Sequence, residues 1–405
     1  MGQFFIRGNR HLSGEISVGG SKNAALPIIF SCILIHGKTT LKNLPDISDV
    51  DVALDILRDF GASVNRTADV AQIDTSELYY RIPDAQKVAK IRASSYLIGA
   101  CLSRFGKAEL QSFGGCNFDN RPIDMHIAAA TSLGARVYGG TLVCDRLCGA
   151  DIIFDKISVG ATVNALLLSA SARGESRIYG HAREPHVMSL IDFLTRAGAE
   201  IEVFDDHIFV RGNSLFSSEA TIISDMIEAG SYLALSLATN SEIKVLGADA
   251  SQLESFFLSC SSCGAFAQIS DGICLSGKIS TPMHITTAPY PGFPTDLQPI
   301  MAPLMALSYG GSIFEGVFKN RFGYLNELSR FGVKFENKDG YAVIHRSEMH
   351  PATATARDLR CGAALVISAL CVDGESVICD SEIIKRGYSN IVKKLQKIGA
   401  QIEEF

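Results

Sequence analysis

Apolar and polar positions follow a pattern that repeats along the chain. Segment LRDFGASV (57–64) reads as the last turn of an amphipathic helix, then a glycine, then the start of a strand. Similar segments are ATSLGARV (130–137), LTRAGAEI (194–201), CSSCGAFA (260–267), LSRFGVKF (328–335) and LQKIGAQI (395–402). The glycines stand at 61, 134, 198, 264, 332 and 399, so the intervals are 73, 64, 66, 68 and 67 residues. We predict six related units, each with a left-handed glycine after its helix.

The residues around each copy repeat as well. A small-residue-rich apolar helix and a strand precede it, as in SVGATVNALLLSASARGESRIYG (158–180). A second strand follows, as in DGICLSG (271–277) and DGYAVIHR (339–346), where the Asp-Gly pairs favour a tight hairpin turn. The predicted unit is therefore β-α-β-α-β-β, and the fold class is α/β (α+β).

The sixth copy ends at Phe405 with no strand after it. The first strand of the chain, QFFIRGN (3–9), closely resembles HIFVRGN (207–213) after the third copy. We predict that the N-terminal strand completes the sixth unit. This gives two domains of three units each, one of residues 22–223 and one of residues 1–21 with 224–405. A ligand is expected in the cleft between two such domains.

Composition excludes several classes of protein. The 405 residues are 47% hydrophobic with a formal net charge of −6 and no run of Lys or Arg, which argues against a nucleic-acid partner. The longest apolar stretch, AALPIIFSCILI (24–35), is too short to cross a bilayer, so we expect no membrane insertion. Eleven scattered cysteines favour a reducing, cytoplasmic location. Cys260 and Cys263, with Cys274, have the spacing of a partial metal site, but we interpret them as buried thiols and expect no metal.

Cations stand where the first helix of several units begins. A cation at a helix N-terminus opposes the helix dipole, so it destabilises the helix unless an anion lies nearby. The cations at helix starts are Lys22, Arg92, Lys156 and Arg360, and three more are Arg121, Arg321 and Arg386 in the segments NRP, NRF and KRGY. We infer an anionic ligand, most simply a phosphorylated one.

Segment GGCNFDNRPIDMHI (114–127) concentrates reactive groups. Cys116 follows two glycines, and Pro122 stiffens the chain after Arg121. A thiol with a pKa of about 8.5 in water, beside cations, can act as an acid or a nucleophile near neutral pH.

The chain resembles the UDP-N-acetylglucosamine 1-carboxyvinyltransferases, a family of enolpyruvyl transferases. The shared motifs are SKNAALP, IRAS, GGCxxxxRPxDxH, DKISVGAT, AREP, PGFPTD, NRF, DLR and RGY, in family order over nearly the whole length. The resemblance implies a two-domain inside-out α/β barrel that works without a cofactor. It implies transfer of the enolpyruvyl group of phosphoenolpyruvate to the 3-hydroxyl of UDP-N-acetylglucosamine, with release of phosphate, at the start of peptidoglycan synthesis.

The resemblance also implies roles for individual residues. Cys116 would be the general acid and able to form an adduct with substrate, and Asp296 would be the base. Lys22, Arg121 and Arg386 would hold phosphate, with Lys22 and Arg386 counted as catalytic, while Arg321 and Arg360 would meet the carboxylate. The contacts to the UDP-sugar would be Asn23, Arg92, Arg121, Pro122, Ile123, Asp124, Met125, Lys156, Ile157, Ser158, Val159, Asp296 and Val317.

Two positions depart from the family pattern, and they leave alternatives open. Asp119 stands where a glycine is usual after the cysteine, and Met226 stands where many members carry an arginine. One alternative is an enolpyruvyl transferase that acts on another nucleotide or nucleotide-sugar, such as UMP, or on shikimate phosphate. Another is a catalytically weak nucleotide-sugar-binding homologue. The retained KISV and RPIDM segments favour a uridine nucleotide over shikimate phosphate. The sequence does not determine the oligomeric state.

Overall fold

The computed structural model describes residues 2–8, 11–111, 113–114 and 122–405. The strands in this part of the chain are β1 (Gln3–Arg7), β2 (Ser13–Ser17), β3 (Ile35–Lys42), β4 (Ser63–Thr67), β5 (Val70–Asp74), β6 (Lys107–Glu109), β7 (Arg136–Tyr138), β8 (Thr141–Val143), β9 (Asp151–Ile153), β10 (Glu175–Tyr179), β11 (Glu200–Val203), β12 (His207–Arg211), β13 (Leu215–Thr221), β14 (Glu242–Leu246), β15 (Ala265–Ile269), β16 (Ile273–Gly277), β17 (Met283–Thr287), β18 (Gly311–Glu315), β19 (Lys334–Lys338), β20 (Tyr341–His345), β21 (Thr353–Thr355), β22 (Glu375–Cys379) and β23 (Gln401–Glu404).

The helices alternate with these strands. They are α1 (Lys22–Ser31), α2 (Ser48–Asp59), α3 (Ala85–Val88), α4 (Leu97–Phe105), α5 (Asp124–Ser132), α6 (Val159–Ser169), α7 (Pro185–Arg196), α8 (Met226–Thr239), α9 (Glu254–Ser261), α10 (Gln298–Leu307), α11 (Tyr324–Leu328), α12 (Leu359–Cys371), α13 (Glu382–Lys385) and α14 (Ile391–Lys397). None of the helices in the described ranges is long and apolar enough to cross a membrane.

The sheets repeat one strand arrangement. In the sheet β17-β18-β20-β19, β17 and β18 are parallel and β20 is antiparallel to both of its neighbours. The same arrangement recurs in β9-β10-β12-β11, β2-β14-β16-β15, β13-β3-β5-β4 and β21-β22-β1-β23. A shorter sheet, β6-β8-β7, has only the antiparallel strands among the described residues. The predicted β-α-β-α-β-β unit and its α/β class are confirmed.

Strand β1 lies between β22 and β23 and is antiparallel to both. Ile6, on β1, is opposite Ile402 on β23, and both side chains are buried. The first strand of the chain therefore supplies the position that the last copy of the repeat leaves open.

Contacts divide the chain into two compact units. Among the described residues, we call 20–111, 113–114 and 122–223 the N unit, and 2–8, 11–19 and 224–405 the C unit. Each has its own hydrophobic core. In the C unit, helices α8, α10 and α12 contact one another, and α12 is buried from Leu359 to Leu370. A helix with buried residues on every side is enclosed by other elements, so these three helices lie inside the C unit.

The six repeat glycines have the conformation that the sequence predicts. Their φ angles are positive, from 88° at Gly332 to 121° at Gly198. A strand begins two residues or less after each of them, for example β4 after Gly61 and β23 after Gly399. Glycine adopts this left-handed conformation without the steric cost of a Cβ atom, so it ends the helix and redirects the chain.

Candidate active site

The first helix of the N unit begins with a cation that has a buried partner. Lys22 is the first residue of α1, and its Nζ lies 3.5 Å from Oδ2 of Asp49 in the first turn of α2. The side chains of Lys22 and Asp49 are only 16% and 6% exposed. Asn23 follows in the same turn and is half-buried. The carboxylate of Asp49 offsets the unfavourable position of Lys22 at a helix N-terminus.

The predicted nucleotide-binding segments also lead into helices of the N unit. Pro122 and Ile123 precede α5, whose first residues are Asp124 and Met125. Lys156, Ile157 and Ser158 precede α6, which begins at Val159, and the Ser158 hydroxyl caps it by accepting from the Ala161 N–H. Helices α5 and α6 pack against each other, and the His126 ring in the first turn of α5 lies against Gly160 in the first turn of α6, so the starts of the two helices are adjacent.

A buried histidine joins these two helices. Nδ2 of Asn164, on α6, lies 2.7 Å from Nδ1 of His126, on α5. Oδ1 of Asn164 accepts from the Gly99 N–H at 2.6 Å, so its amide nitrogen faces the ring. Nδ1 must then accept the hydrogen bond, and the proton of the neutral ring is on Nε2. Burial lowers the pKa of His126 from 6.5 to about 4, and the charge of Arg92 contributes in the same direction while Asp124 opposes it.

This lowered pKa predicts that stability depends on pH. Between about pH 4 and 6.5 the unfolded chain binds the His126 proton and the folded chain does not. The free energy of unfolding should therefore fall as the pH drops through this window, by roughly 3 kcal/mol in total. Urea unfolding of the wild type and His126→Gln at several pH values measures this contribution, which the variant should lack. An unchanged pH slope in His126→Gln would contradict the assignment, and the exposed His345→Gln serves as the control.

Arg92 opens a short 3₁₀ turn, Arg92–Tyr96, that leads into α4. Its side chain is half-buried, and burial lowers its pKa. Arg92 therefore stands at a helical start, as predicted.

In the C unit, one carboxylate is held by two arginines. Oδ1 of Asp296 lies 2.6 Å from Nη2 of Arg321, and Oδ2 lies 2.9 Å from Nη2 and 3.1 Å from Nε of Arg360. The arginine side chains are 6% and 4% exposed, and that of Asp296 is 28% exposed. Asp296 lies just before α10, and Arg360 lies in the first turn of α12. These are corresponding helix starts in two units of the repeat.

The electrostatics of this cluster favour a bound anion. Burial tends to raise the pKa of Asp296, but the charges of Arg360 and Arg321 outweigh it and hold that pKa well below its usual value. Two cations and one carboxylate leave a net positive charge. Nη1 of Arg360 is also buried without a hydrogen-bond partner in the described part of the chain. A buried guanidinium N–H that lacks a partner is costly, and a ligand oxygen would satisfy it.

Two other predicted residues of the C unit lie near element ends. Val317 follows β18, and its side chain is about one-third exposed (36%). Arg386 follows α13 and is half-buried.

Comparison with known proteins identifies the family. The family model described as EPSP synthase (3-phosphoshikimate 1-carboxyvinyltransferase) matches residues 6–395. UDP-N-acetylglucosamine 1-carboxyvinyltransferase 1 of Clostridium acetobutylicum is 37% identical over 100% of this chain and 99% of its own. The UDP-N-acetylglucosamine 1-carboxyvinyltransferase of Acinetobacter baylyi is 36% identical over 100% of this chain and 99% of its own. The chain belongs to the UDP-N-acetylglucosamine 1-carboxyvinyltransferase family.

Solved structures of enolpyruvyl transferases share the fold. The enolpyruvyl transferase NikO from Streptomyces tendae has a TM-score of 0.89 at 24% identity and covers 100% of this chain and 99% of its own. An EPSP synthase from Acinetobacter baumannii has a TM-score of 0.72 at 15% identity, with 100% of both chains covered. The two-domain inside-out α/β fold implied by the resemblance is thus confirmed.

The cysteine segment of the family is only partly described. Cys116, Asp119 and Arg121 lie outside the described residues. On its N-terminal side, the N–H of Gly114 donates to the Val88 carbonyl at 3.2 Å. The other departure, Met226, begins α8 and packs against the core of the C unit, so a thioether stands where many members of the family have an arginine.

Three polar residues that touch predicted site residues were not singled out from the sequence. They are Asp49, Thr295 and Glu315. Thr295 adjoins Asp296 within PGFPTD, so this motif could have indicated that Thr295 belongs to the site. The others lie in ordinary helix or strand positions, and only contacts between distant segments distinguish them.

Proposed function

We propose that the protein transfers the enolpyruvyl group of phosphoenolpyruvate to the 3-hydroxyl of UDP-N-acetylglucosamine and releases phosphate. The observation that carries this proposal is the Asp296 carboxylate held between Arg321 and Arg360, which joins a basic group to two anion-binding groups. The relatives reported above bear the name of this activity over their full length. The product would enter peptidoglycan synthesis.

The reaction is an addition followed by an elimination. The sugar oxygen bonds to the carbon of phosphoenolpyruvate that carries the phosphate, while the methylene carbon gains a proton and the hydroxyl loses one. The new methyl group then loses a proton as the bond to phosphate breaks, which leaves an enol ether and inorganic phosphate. The reaction therefore needs an acid for carbon and a base for oxygen. We assign these roles to Cys116 and Asp296.

The two arginines suggest how Asp296 becomes a base. While both guanidinium groups hold it, its pKa is low, and a carboxylate with a low pKa accepts a proton poorly. Arg321 and Arg360 are proposed to bind the carboxylate and the developing charge of phosphoenolpyruvate. An anion that shares these arginines would weaken their hold on Asp296 and raise its pKa.

Other residues are proposed to bind the substrates. Lys22, Arg121 and Arg386 would hold the phosphate of phosphoenolpyruvate. The segments Pro122–Met125 and Lys156–Val159, with Asn23, Arg92 and Val317, would bind the UDP-sugar. The packing of α5 on α6 supports the assignment of the two segments, because adjacent helix N-termini offer N–H groups to phosphate oxygens. We propose a cytoplasmic location, because the ten described cysteines are all free thiols.

Phosphate release with a panel of acceptors tests the function. We expect release from phosphoenolpyruvate with UDP-N-acetylglucosamine, and at least about 100-fold less at equal concentrations of UMP, UDP or shikimate 3-phosphate, which lack the acceptor sugar or the nucleotide. Mass spectrometry of the product should show the added enolpyruvyl group. Faster release with another acceptor would assign the enzyme to that substrate, and no release with any would favour a binding homologue.

A further inference from the structure

Glu315 is a buried carboxylate at the end of β18. It is 1% exposed and stands opposite Thr287, the last residue of the parallel strand β17. A carboxylate buried to this degree needs hydrogen-bond donors around it. Glu315 has four of them, drawn from three separate segments of the C unit.

One oxygen of Glu315 holds the turn that follows its strand. Oε1 accepts from the N–H groups of Val317 at 2.9 Å and Phe318 at 3.0 Å, and from the Thr287 hydroxyl at 2.6 Å. The Thr287 hydroxyl in turn accepts from the Gly316 N–H at 3.0 Å. The backbone of Val317, a predicted contact to the UDP-sugar, is thereby set by Glu315.

The other oxygen leads to the arginine cluster. Oε2 accepts from the Thr295 hydroxyl at 2.9 Å. The same hydroxyl oxygen accepts from Nη1 of Arg321 at 2.9 Å, and Nη2 of Arg321 donates to Asp296. The Thr295 hydroxyl has one proton and donates it in the hydrogen bond to Glu315. Its oxygen lone pairs therefore face the guanidinium group of Arg321.

We propose that Glu315 is a positioning residue that acts through Thr295 to orient Arg321, and through the turn amides to orient Val317. This inference rests on the proposed function, because it assigns Glu315 to the same substrates. The Glu315–Thr295 pair fixes the plane of the Arg321 guanidinium group. This matters because a planar guanidinium group donates two hydrogen bonds to one carboxylate only when it is correctly oriented. Glu315 does not itself meet the substrates.

Thr295 provides the test, because valine matches its shape without the hydroxyl. Thr295→Val should lower kcat/KM for phosphoenolpyruvate roughly 10- to 100-fold, the range for a lost hydrogen bond to a charged group. Thr295→Ser restores the hydroxyl and should recover most of the loss. The matched control is Thr287→Val, which removes another hydroxyl from Glu315 but leaves Arg321 alone. It should lower Tm like Thr295→Val, yet change kcat/KM for phosphoenolpyruvate at saturating UDP-N-acetylglucosamine by less than about threefold, because the turn that Thr287 also holds carries the proposed UDP-sugar contact Val317.

A double-mutant cycle separates positioning from a general loss of stability. In an Arg321→Lys background, Thr295→Val should cost less than about threefold further, because the group that it orients is already altered. Glu315→Gln should show the same coupling, since its amide nitrogen leaves the Thr295 proton or the turn amides without an acceptor. Equal losses of Thr295→Val in both backgrounds, or equal losses from Thr287→Val and Thr295→Val, would overturn the proposal.

Failure of the proposed function gives a different result. In that case the wild type releases no phosphate with UDP-N-acetylglucosamine. The same variants are then compared by calorimetric affinity for phosphoenolpyruvate, which requires no acceptor. Coupling of Thr295 to Arg321 in that affinity would support the positioning role, and additive losses would overturn it.

Discussion

Cys116→Ser should lose turnover by roughly 10²- to 10⁴-fold, the usual contribution of a general acid, because a hydroxyl is a far weaker acid than a thiol. Its affinity for UDP-N-acetylglucosamine should stay within about threefold of the wild type, since the change removes no proposed nucleotide contact. Cys116→Asp should keep part of the turnover, because a carboxyl group can deliver the same proton. Steady-state rates and calorimetric titration of the UDP-sugar measure the two effects.

Alkylation gives an independent test of the same thiol. An electrophilic phosphonate that resembles phosphoenolpyruvate should label Cys116, and faster in the presence of the UDP-sugar. Burial raises the pKa of Cys32, Cys260 and Cys361 to about 12, so these thiols should react slowly. Cys148 is exposed, so Cys148→Ser is the control for background labelling. A label on another cysteine, or normal turnover by Cys116→Ser, would show that the assignment is wrong.

The negative charge at position 119 should slow this alkylation. A carboxylate near the thiol would favour the protonated form and raise its pKa. Asp119→Gly, which restores the residue usual in the family, should therefore be labelled faster at neutral pH. The pH dependence of labelling in both proteins measures the difference, and equal rates would show that Asp119 does not act on Cys116.

Asp296→Asn should lower kcat by roughly 10²- to 10⁴-fold, because an amide cannot accept the proton of the sugar hydroxyl. It should also destabilise the protein by up to about 3–5 kcal/mol, since it leaves two buried arginines with no carboxylate between them. Sulfate should stabilise this variant more than the wild type, because an anion can replace the lost charge. Thermal unfolding with and without sulfate measures the effect, and equal stabilisation of both proteins would contradict it.

The pH dependence of the loss follows from the lowered pKa. Asp296 has a pKa below 3.8 in the folded protein, so its contribution to stability is complete above about pH 4 and declines at lower pH. The difference in free energy of unfolding between the wild type and Asp296→Asn should therefore also decrease as the pH falls below about 4. Glu327→Gln is a matched control, because Glu327 is also held by two arginines, Arg357 and Arg330. It should lose stability and keep kcat.

Much of the fold followed from local rules. Each repeat glycine, such as Gly61 or Gly332, ends a helix because a left-handed residue is required there, and this requirement acts within a few residues of the chain. The resemblance of β1 to the strand after the third copy indicated its place in the last unit. Helix starts also followed, because Lys22 opens α1 and Arg360 lies in the first turn of α12, where the sequence predicted cations at helix starts.

The sequence by itself therefore determined the repeat, the element order and the candidates for each chemical role. Only the tertiary structure decided which groups are neighbours. Asp296 meets arginines that lie 25 and 64 residues further along the chain, and Asn164 meets a histidine 38 residues before it. Contacts between residues so far apart in the sequence depend on how the buried helices pack, and the periodicity of the chain does not predict that packing. The direction of each pKa shift, and the connection of Glu315 to Arg321 through Thr295, arise from this packing, because burial and charge act through space.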